Sequence, residues 1–144
     1  MADRLRIFID SNIWFSAFYK KGQAFNLLEK CREKRFEVVI SQLVLEEIIR
    51  NIKKKLPRKL ENVRSFLITY PLVIVKNPSK KDLTKVEGLA HKKDRPILAA
   101  ALNYKCRFLI TGNLKDFKEK SIKEKFNLEV ISLGKASSTT EVQP

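Results

Sequence analysis

Glycine and histidine are scarce in this chain, which has four glycines and one histidine among its 144 residues. Four glycines supply neither a dinucleotide-binding fingerprint nor a phosphate-binding loop. The lone His91 and the scattered Cys31 and Cys106 match no zinc-ligand spacing, and no serine lies in a nucleophile-elbow pattern. The sequence therefore disfavours nucleotide cofactors, zinc and serine-nucleophile chemistry, and both cysteines are predicted to be buried thiols.

Long apolar runs are also absent. No segment approaches the roughly 20 apolar residues that a membrane-spanning helix needs. The segment Met1–Arg6 lacks the apolar region of a signal peptide and leads directly into a predicted strand. We therefore expect a cytoplasmic protein with no membrane partner. The composition is 44% hydrophobic and 32% charged, which is typical of a globular protein, and the length fits one domain.

Acidic residues are few relative to basic ones. The chain has 30 Lys and Arg residues against 16 Asp and Glu residues, which gives a net charge of +14. Such an excess favours a nucleic acid or an anionic membrane surface as a partner. The membrane alternative is weaker, because no predicted helix pairs a broad, exposed apolar face with a basic one. A surface rich in Lys and Glu also marks proteins from hot environments, so charge alone identifies no ligand.

Apolar residues alternate between strand and helix periodicity along the chain. Five segments are predicted to be strands: Leu5–Ile9, Phe36–Ile40, Leu72–Val75, Arg107–Thr111 and Leu128–Ser132. Segments with helical spacing lie between them. This alternation predicts an α/β fold with a central five-stranded, mainly parallel sheet flanked by helices. Residues 1–133 are predicted to form this single domain, and the small, polar residues 134–144 a disordered tail.

Several helix starts are visible in the sequence, and one of them is at Pro57. Ser41 is a predicted N-cap, and the segment after Ser79 is predicted to be a helix that carries Leu83, Val86 and Ala90. Another helix is predicted to begin at Asp94, which is followed two residues later by Pro96. An Asp at the N-cap and a proline in the first turn are typical of a helix start.

Acidic residues follow the predicted strands at one edge of the sheet. Asp10 directly follows the first strand, and Asp116 closely follows the fourth. Glu46 and Glu47 lie in the second turn of the helix after the second strand. Open α/β sheets bind ligands outside the carboxyl ends of their strands. Asp94, at its helix N-terminus, could reach the same edge, although the strand argument does not place it there.

Carboxylates that lie close together repel one another, and a divalent cation resolves this conflict. Mg²⁺ takes oxygen ligands, lowers the pKa of a water and stabilises charge on a phosphate. The acids, in a chain this basic, therefore indicate a metal site that faces a polyanion.

Each acid also has a purely structural interpretation. Asp10, Asp94 and Asp116 could each cap the helix that follows. Glu46 or Glu47 could be a solvated helix residue. The joint structural interpretation is weaker than any single one, since independent caps need not share one edge of a sheet.

Four segments resemble the motifs of the PIN-domain nucleases, particularly the VapC-like toxins and related stand-alone prokaryotic PIN proteins. They are Ile7–Asn12, Ile40–Ile48, Asp94–Ala101 and Thr111–Phe117, and the resemblance extends over nearly the whole length, to Leu133. In the second segment, the spacing from serine to glutamate selects Glu47 over Glu46. In the fourth, many members carry Asp where this chain has Asn113, whereas others keep the Asp before the aromatic residue, as Asp116 is kept here.

The resemblance implies a PIN-like three-layer sandwich, Mg²⁺ or Mn²⁺ at the acids, and cleavage of RNA phosphodiester bonds. Asp10, Asp94 and Asp116 would hold the metal, and Glu47 would ligand it or position the attacking water. Asn12, Thr111 and Asn113 are candidates for support around the acids. The resemblance also implies a homodimer and, for toxin-like members, an inhibitory antitoxin protein.

Basic residues are candidates for contacts to the RNA backbone. The candidates are Lys92, Lys93, Arg95, Lys53 and Lys54. The first three bracket Asp94. For the other two, a solvated helix end with cations near the C-terminal dipole is an equally good interpretation.

The leading hypothesis is a metal-dependent endoribonuclease, the toxin of a toxin–antitoxin system. The alternative is a catalytically weak RNA-binding module, favoured by the missing charge at Asn113. A DNA-directed nuclease ranks lower, because flap endonucleases that share the PIN fold are far longer. A small open reading frame immediately upstream that encodes an antitoxin would favour the toxin role.

Overall fold

A five-stranded sheet forms the centre of the computed structural model, which describes residues 4–138. Its strands are β1 (Arg6–Ile9), β2 (Glu37–Ser41), β3 (Leu72–Val75), β4 (Phe108–Ile110) and β5 (Glu129–Ile131). Their order is β3-β2-β1-β4-β5, and every neighbouring pair is parallel. The predicted α/β fold is confirmed, and all carboxyl ends of the strands lie at one edge.

Helices connect the strands. They are α1 (Ser11–Tyr19), α2 (Gln23–Glu33), α3 (Gln42–Lys55), α4 (Leu60–Thr69), α5 (Lys80–Thr84), α6 (Arg95–Asn103), α7 (Glu119–Phe126) and α8 (Leu133–Ser138). Three short 3₁₀ turns lie at Pro57–Lys59, Lys92–Asp94 and Leu114–Asp116. Ser41 starts α3 as predicted, because its hydroxyl accepts a hydrogen bond from the Val44 N–H. None of the helices in the described part of the chain is both long and apolar enough to cross a membrane.

The two neighbouring strands β1 and β4 are buried almost throughout and position the candidate site. Every residue of β4 and the last three residues of β1 are inaccessible to solvent. The carboxyl ends of these strands are adjacent, since the Asp10 N–H donates to the Ile110 carbonyl at 3.0 Å. Cys31 and Cys106 are buried free thiols, and burial raises the pKa of each to about 12. Neither is therefore a nucleophile at neutral pH.

The helix after Ser79 is shorter than the sequence predicts. Helix α5 ends at Thr84, and Gly88 adopts a positive φ of 78°, which a helix cannot accommodate. Ala90 instead forms an isolated antiparallel bridge with Phe117. Val86 and Ala90 are buried as the apolar spacing suggests, but they lie beyond the end of the helix, Val86 in a turn and Ala90 in the bridge.

The predicted disordered tail does not hold for residues 134–138. These residues belong to α8, which contacts α2 and buries Ala136. Ala136 is buried and Leu133 packs against the core, so two apolar residues dock this short helix, and the polar composition around them conceals it. Residues 139–144 lie outside the described part of the chain.

Candidate active site

Asp10 lies at the carboxyl end of β1 and is 4% exposed. Its Oδ1 accepts a hydrogen bond from the Ser11 N–H at 2.7 Å, and its Oδ2 accepts one from the Thr111 hydroxyl at 2.9 Å. Burial raises the pKa of this carboxyl despite both bonds. Asp10 does occupy the N-cap position of α1, so the capping interpretation is correct for one oxygen. The second oxygen accepts its hydrogen bond from Thr111, which directly follows β4. A helix cap alone does not require this contact.

Glu47, rather than Glu46, faces Asp10. Glu46 is exposed, whereas Glu47 is half-buried. The pKa of Glu47 is raised by burial and next by the charge of Asp10, against smaller lowering effects from Ser11 and Arg50. The helical phase of α3 therefore brings one of the two adjacent glutamates to the sheet edge and leaves its neighbour in solvent.

Asp94 is 5% exposed at the start of α6. It occupies the N-cap position, but its side chain makes no capping hydrogen bond. Its Oδ2 is buried and has no hydrogen-bond partner among the residues that the structure describes. Burial raises the pKa of Asp94 to about 6, with further contributions from the charges of Asp10 and Asp116. A buried, unpaired carboxylate oxygen is costly, so capping does not explain this residue.

Asp116 is held beside Asp94 by backbone pairing. The bridge between Ala90 and Phe117 joins the two segments, and the His91 N–H donates to the Asp116 carbonyl at 2.8 Å. Asp116 does not cap α7, whose N-cap is Lys118. The charge of Asp10 therefore raises the pKa of both Glu47 and Asp94, and the charge of Asp116 also raises that of Asp94, which connects the four predicted acids in a series of pairs.

The predicted supporting residues have different roles. Thr111 is fully buried, and besides donating to Asp10 its hydroxyl accepts a hydrogen bond from the Asn113 N–H at 3.1 Å. Asn12 instead accepts a hydrogen bond from the Gly112 N–H at 3.0 Å, so it fixes the loop after β4. A Cβ at Gly112 would lie 3.2 Å from the Asn12 side chain. This position therefore favours glycine for its close approach.

Sequence reasoning missed Ser11 and Arg50. Ser11 interacts with both Asp10 and Glu47. The positive charge of Arg50 lowers the pKa of Glu47. For Arg50 the sequence contained a signal. Arg50 follows Glu47 by three residues on α3, and residues at that spacing are neighbours on a helix surface.

The predicted basic contacts divide into two groups. Lys92 and Lys93 are exposed, and Lys93 Nζ lies 4.0 Å from Asp116 Oδ2 at the mouth of the site. Arg95 is half-buried, and its Nε donates to the Ala90 carbonyl at 3.1 Å, so it supports the loop. Lys53 and Lys54 are exposed at the far end of α3, about 10 Å along the helix from the acids.

The donor set suits a hard divalent cation in its chemistry. The four acids offer only carboxylate oxygens, and Asp94 Oδ2 is buried with no described partner. Within residues 4–138, however, no three His, Cys, Asp or Glu side chains are placed closely enough to hold a metal ion. Metal binding would therefore require rotation of the acid side chains toward a common point.

Residues 6–115 match the family model of the PIN domain. The chain therefore belongs to the PIN-domain family, and the resemblance found in the sequence is confirmed. The match includes Asp10, Glu47 and Asp94, and it ends one residue before Asp116. No curated protein matches the chain.

Solved structures with a similar fold include toxin–antitoxin proteins. VapBC2 from Rickettsia felis, bound to a DNA fragment from its promoter, is 22% identical with a TM-score of 0.64, covering 89% of this chain and 98% of that one. A toxin–antitoxin complex from Klebsiella pneumoniae is 23% identical, with a TM-score of 0.60 and coverage of 78% and 90%. Mycobacterium tuberculosis VapC20, a sarcin-ricin loop cleaving toxin, is 10% identical, with a TM-score of 0.54 and coverage of 85% and 98%. At these identities the likeness shows the fold.

Proposed function

We propose that this chain is a Mg²⁺- or Mn²⁺-dependent endoribonuclease that acts as the toxin of a toxin–antitoxin system. The observation that carries the proposal is the buried Asp94 carboxylate, whose Oδ2 has no hydrogen-bond partner among the described residues and whose pKa is raised by burial and by the charges of Asp10 and Asp116. Such a cluster costs folding free energy in the absence of a cation. Membership of the PIN-domain family supports a nuclease role for it.

Asp10, Asp94 and Asp116 would hold the metal. When bound, the ion supplies charge neutralisation at the scissile phosphate and lowers the pKa of a water. Asp10 is prepared for this role because the Ser11 N–H and the Thr111 hydroxyl fix the orientation of its two oxygens. Lys93, exposed beside Asp116, is placed to attract the phosphate backbone to the mouth of the site.

Glu47 is suited to position the attacking water and accept its proton. It is half-buried next to Asp10, and its pKa is raised above the usual range of a glutamate. A carboxylate with a raised pKa is a stronger base than an exposed one, which favours proton transfer near neutral pH.

The two adjacent glutamates provide a matched test of this role. We expect Glu47→Gln to lower RNA cleavage about a hundredfold, because an amide accepts no proton. Glu46→Gln, one residue away and exposed, is expected to leave cleavage within about twofold of the parent, since surface substitutions away from a site have small effects. The measurement is the cleavage rate of each variant and of the parent on one RNA at saturating Mn²⁺. Equal losses in both variants would contradict the assignment of Glu47.

RNA is the proposed substrate, and two proteins are the proposed partners. The net charge of +14 supports a polyanionic substrate, and Lys92, Lys93, Lys53 and Lys54 are its proposed contacts. The solved toxin–antitoxin complexes of similar fold support an antitoxin as one partner. A second copy of this chain is the other.

A catalytically weak RNA-binding module is the second candidate. Asn113 adds no negative charge to the site, and the acids are not already converged on one point in the described structure. Salt-sensitive RNA binding without cleavage, in both Mg²⁺ and Mn²⁺, would favour this candidate over the enzyme.

A further inference from the structure

Two aromatic side chains on α1 form a parallel pair at the protein surface. The rings of Phe15 and Tyr19 have centroids 6.3 Å apart and an interplanar angle of 11°. Tyr19 is 56% exposed, although large aromatic side chains in this fold are otherwise buried or half-buried in the described residues. One exposed aromatic residue needs no explanation by itself, so its position decides what it can do.

The pair lies on the helical face that begins at the acids. Ser11, which interacts with Asp10 and Glu47, is followed at intervals of four by Phe15 and Tyr19. Residues at this spacing share one face of a helix. They rise about 6 Å per step, so the pair covers roughly the first 12 Å of surface that leads away from the acids.

Helix α3 runs beside this face and supplies cations. The two helices are packed against each other, and Lys55 Nζ lies 5.3 Å from the centroid of the Phe15 ring. Lys54 is exposed two turns after Glu47 on the same face of α3. Beyond α1, Lys59 Nζ donates to the carbonyls of Phe18 and Tyr19 at 2.9 and 3.0 Å, which fixes the end of the helix.

Two segments that contact the pair contain basic residues and no acidic residue. Neither residues 12–28 nor residues 48–60 contain an Asp or Glu, whereas together they contain Lys20, Lys21, Arg50, Lys53, Lys54, Lys55, Arg58 and Lys59. A polyanion therefore meets no like charge from these segments as it leaves the acids. Aromatic faces interleaved with cations are the general means of binding single-stranded nucleic acid, because every base has a face that can stack.

We infer that Phe15 and Tyr19 form a stacking platform for unpaired bases of the RNA next to the proposed cleavage site. The inference rests on the proposed function and names the residues that hold the bases of its substrate. A duplex buries the faces of its bases and has nothing to stack on Tyr19. Lys54 and Lys55 bind the phosphates of the same strand.

The test measures binding in EDTA, so that cleavage plays no part. Fluorescence anisotropy compares a labelled single-stranded RNA with a hairpin duplex of similar length. We expect Tyr19→Ala to weaken single-strand binding about 5- to 100-fold and duplex binding by less than about twofold. Tyr19→Phe keeps the ring and is expected to bind like the parent. Ile68→Ala, which truncates another exposed apolar side chain (Ile68 is 83% exposed), is the control and should change neither affinity.

Removal of single bases from the RNA shows whether the ring contacts a base. One abasic position should lower the parent's affinity and have little further effect in Tyr19→Ala, since the two changes remove the same contact. Full additivity at every position would overturn the inference. So would unchanged single-strand affinity, or equal losses for single strand and duplex, in Tyr19→Ala.

Failure of the inference is distinguishable from failure of the proposed function. If the parent cleaves RNA with metal and Tyr19→Ala matches it in affinity and KM, the platform is wrong and the nuclease stands. If the parent never cleaves but Tyr19→Ala shows the selective loss of single-strand binding, the nuclease is wrong and the platform stands. In an active enzyme, the platform predicts a raised KM with kcat nearly unchanged.

Discussion

Asp10→Asn is expected to lower metal-dependent RNA cleavage at least about a hundredfold while the fold stays intact. Asp10 interacts electrostatically with both Glu47 and Asp94, so it is the acid through which the two halves of the site are joined. An amide has the same shape, and its oxygen can keep the hydrogen bond from the Ser11 N–H, while its NH2 group replaces the oxygen that accepts from the Thr111 hydroxyl. The substitution therefore removes charge without removing packing.

Cleavage of one RNA under single-turnover conditions measures this loss, with circular dichroism as the check on the fold. Glu124→Gln is a suitable control, because Glu124 is an exposed acid on α7, away from the carboxyl edge of the sheet. It removes the same charge from the same basic protein. Full activity in Asp10→Asn would overturn the assignment of this edge as the active site, whatever the behaviour of the other acids.

Asp94→Asn is expected to stabilise the metal-free protein at pH 7, although it should abolish most cleavage. Burial, together with the charges of Asp10 and Asp116, raises the pKa of Asp94 from its usual 3.8 to about 6. An acid whose pKa is raised by folding destabilises the folded state as pH rises through the window between these two values. At pH 7 the cost is fully present, and below the lower value it is absent. The neutral amide removes that cost.

Urea denaturation in EDTA at pH 7 and pH 4 tests the sign of this effect. One pKa unit corresponds to about 1.4 kcal/mol, and solvent screening reduces the yield, so we expect a gain of about 1–2 kcal/mol at pH 7. The gain should shrink toward zero at pH 4, where Asp94 is protonated in the folded parent. Mn²⁺ should then stabilise the parent more than the variant. A variant that is less stable than the parent at pH 7 would show that Asp94 is a structural residue.

The parts of the fold that depend on local patterns could be predicted from the sequence. Apolar strands, a cap at Ser41 and Asp10 at a strand end are properties of neighbouring residues, and the structure places them close to where the patterns indicate. The choice of Glu47 over Glu46 came from the family spacing. Its physical basis, the helical phase of α3, was visible only in the structure.

The position of Asp94 could not be derived in this way. It depends on the bridge between Ala90 and Phe117, which pairs residues far apart in the chain and has no signature in either segment. Early termination of α5 at Thr84 was missed because the apolar spacing continues past the helix. Docking of α8 was missed because its apolar contacts come from Ala136 and Leu133, which lie in an otherwise polar segment.

The most direct test of the central claim is RNA cleavage by the parent protein as a function of divalent metal. A metal mechanism at these acids predicts no cleavage in excess EDTA, recovery when Mg²⁺ or Mn²⁺ is added in excess of the chelator, and no recovery for Asp10→Asn at any metal concentration tested. Cleavage that persists in excess EDTA, at the same rate and the same positions, would contradict a metal mechanism at these acids.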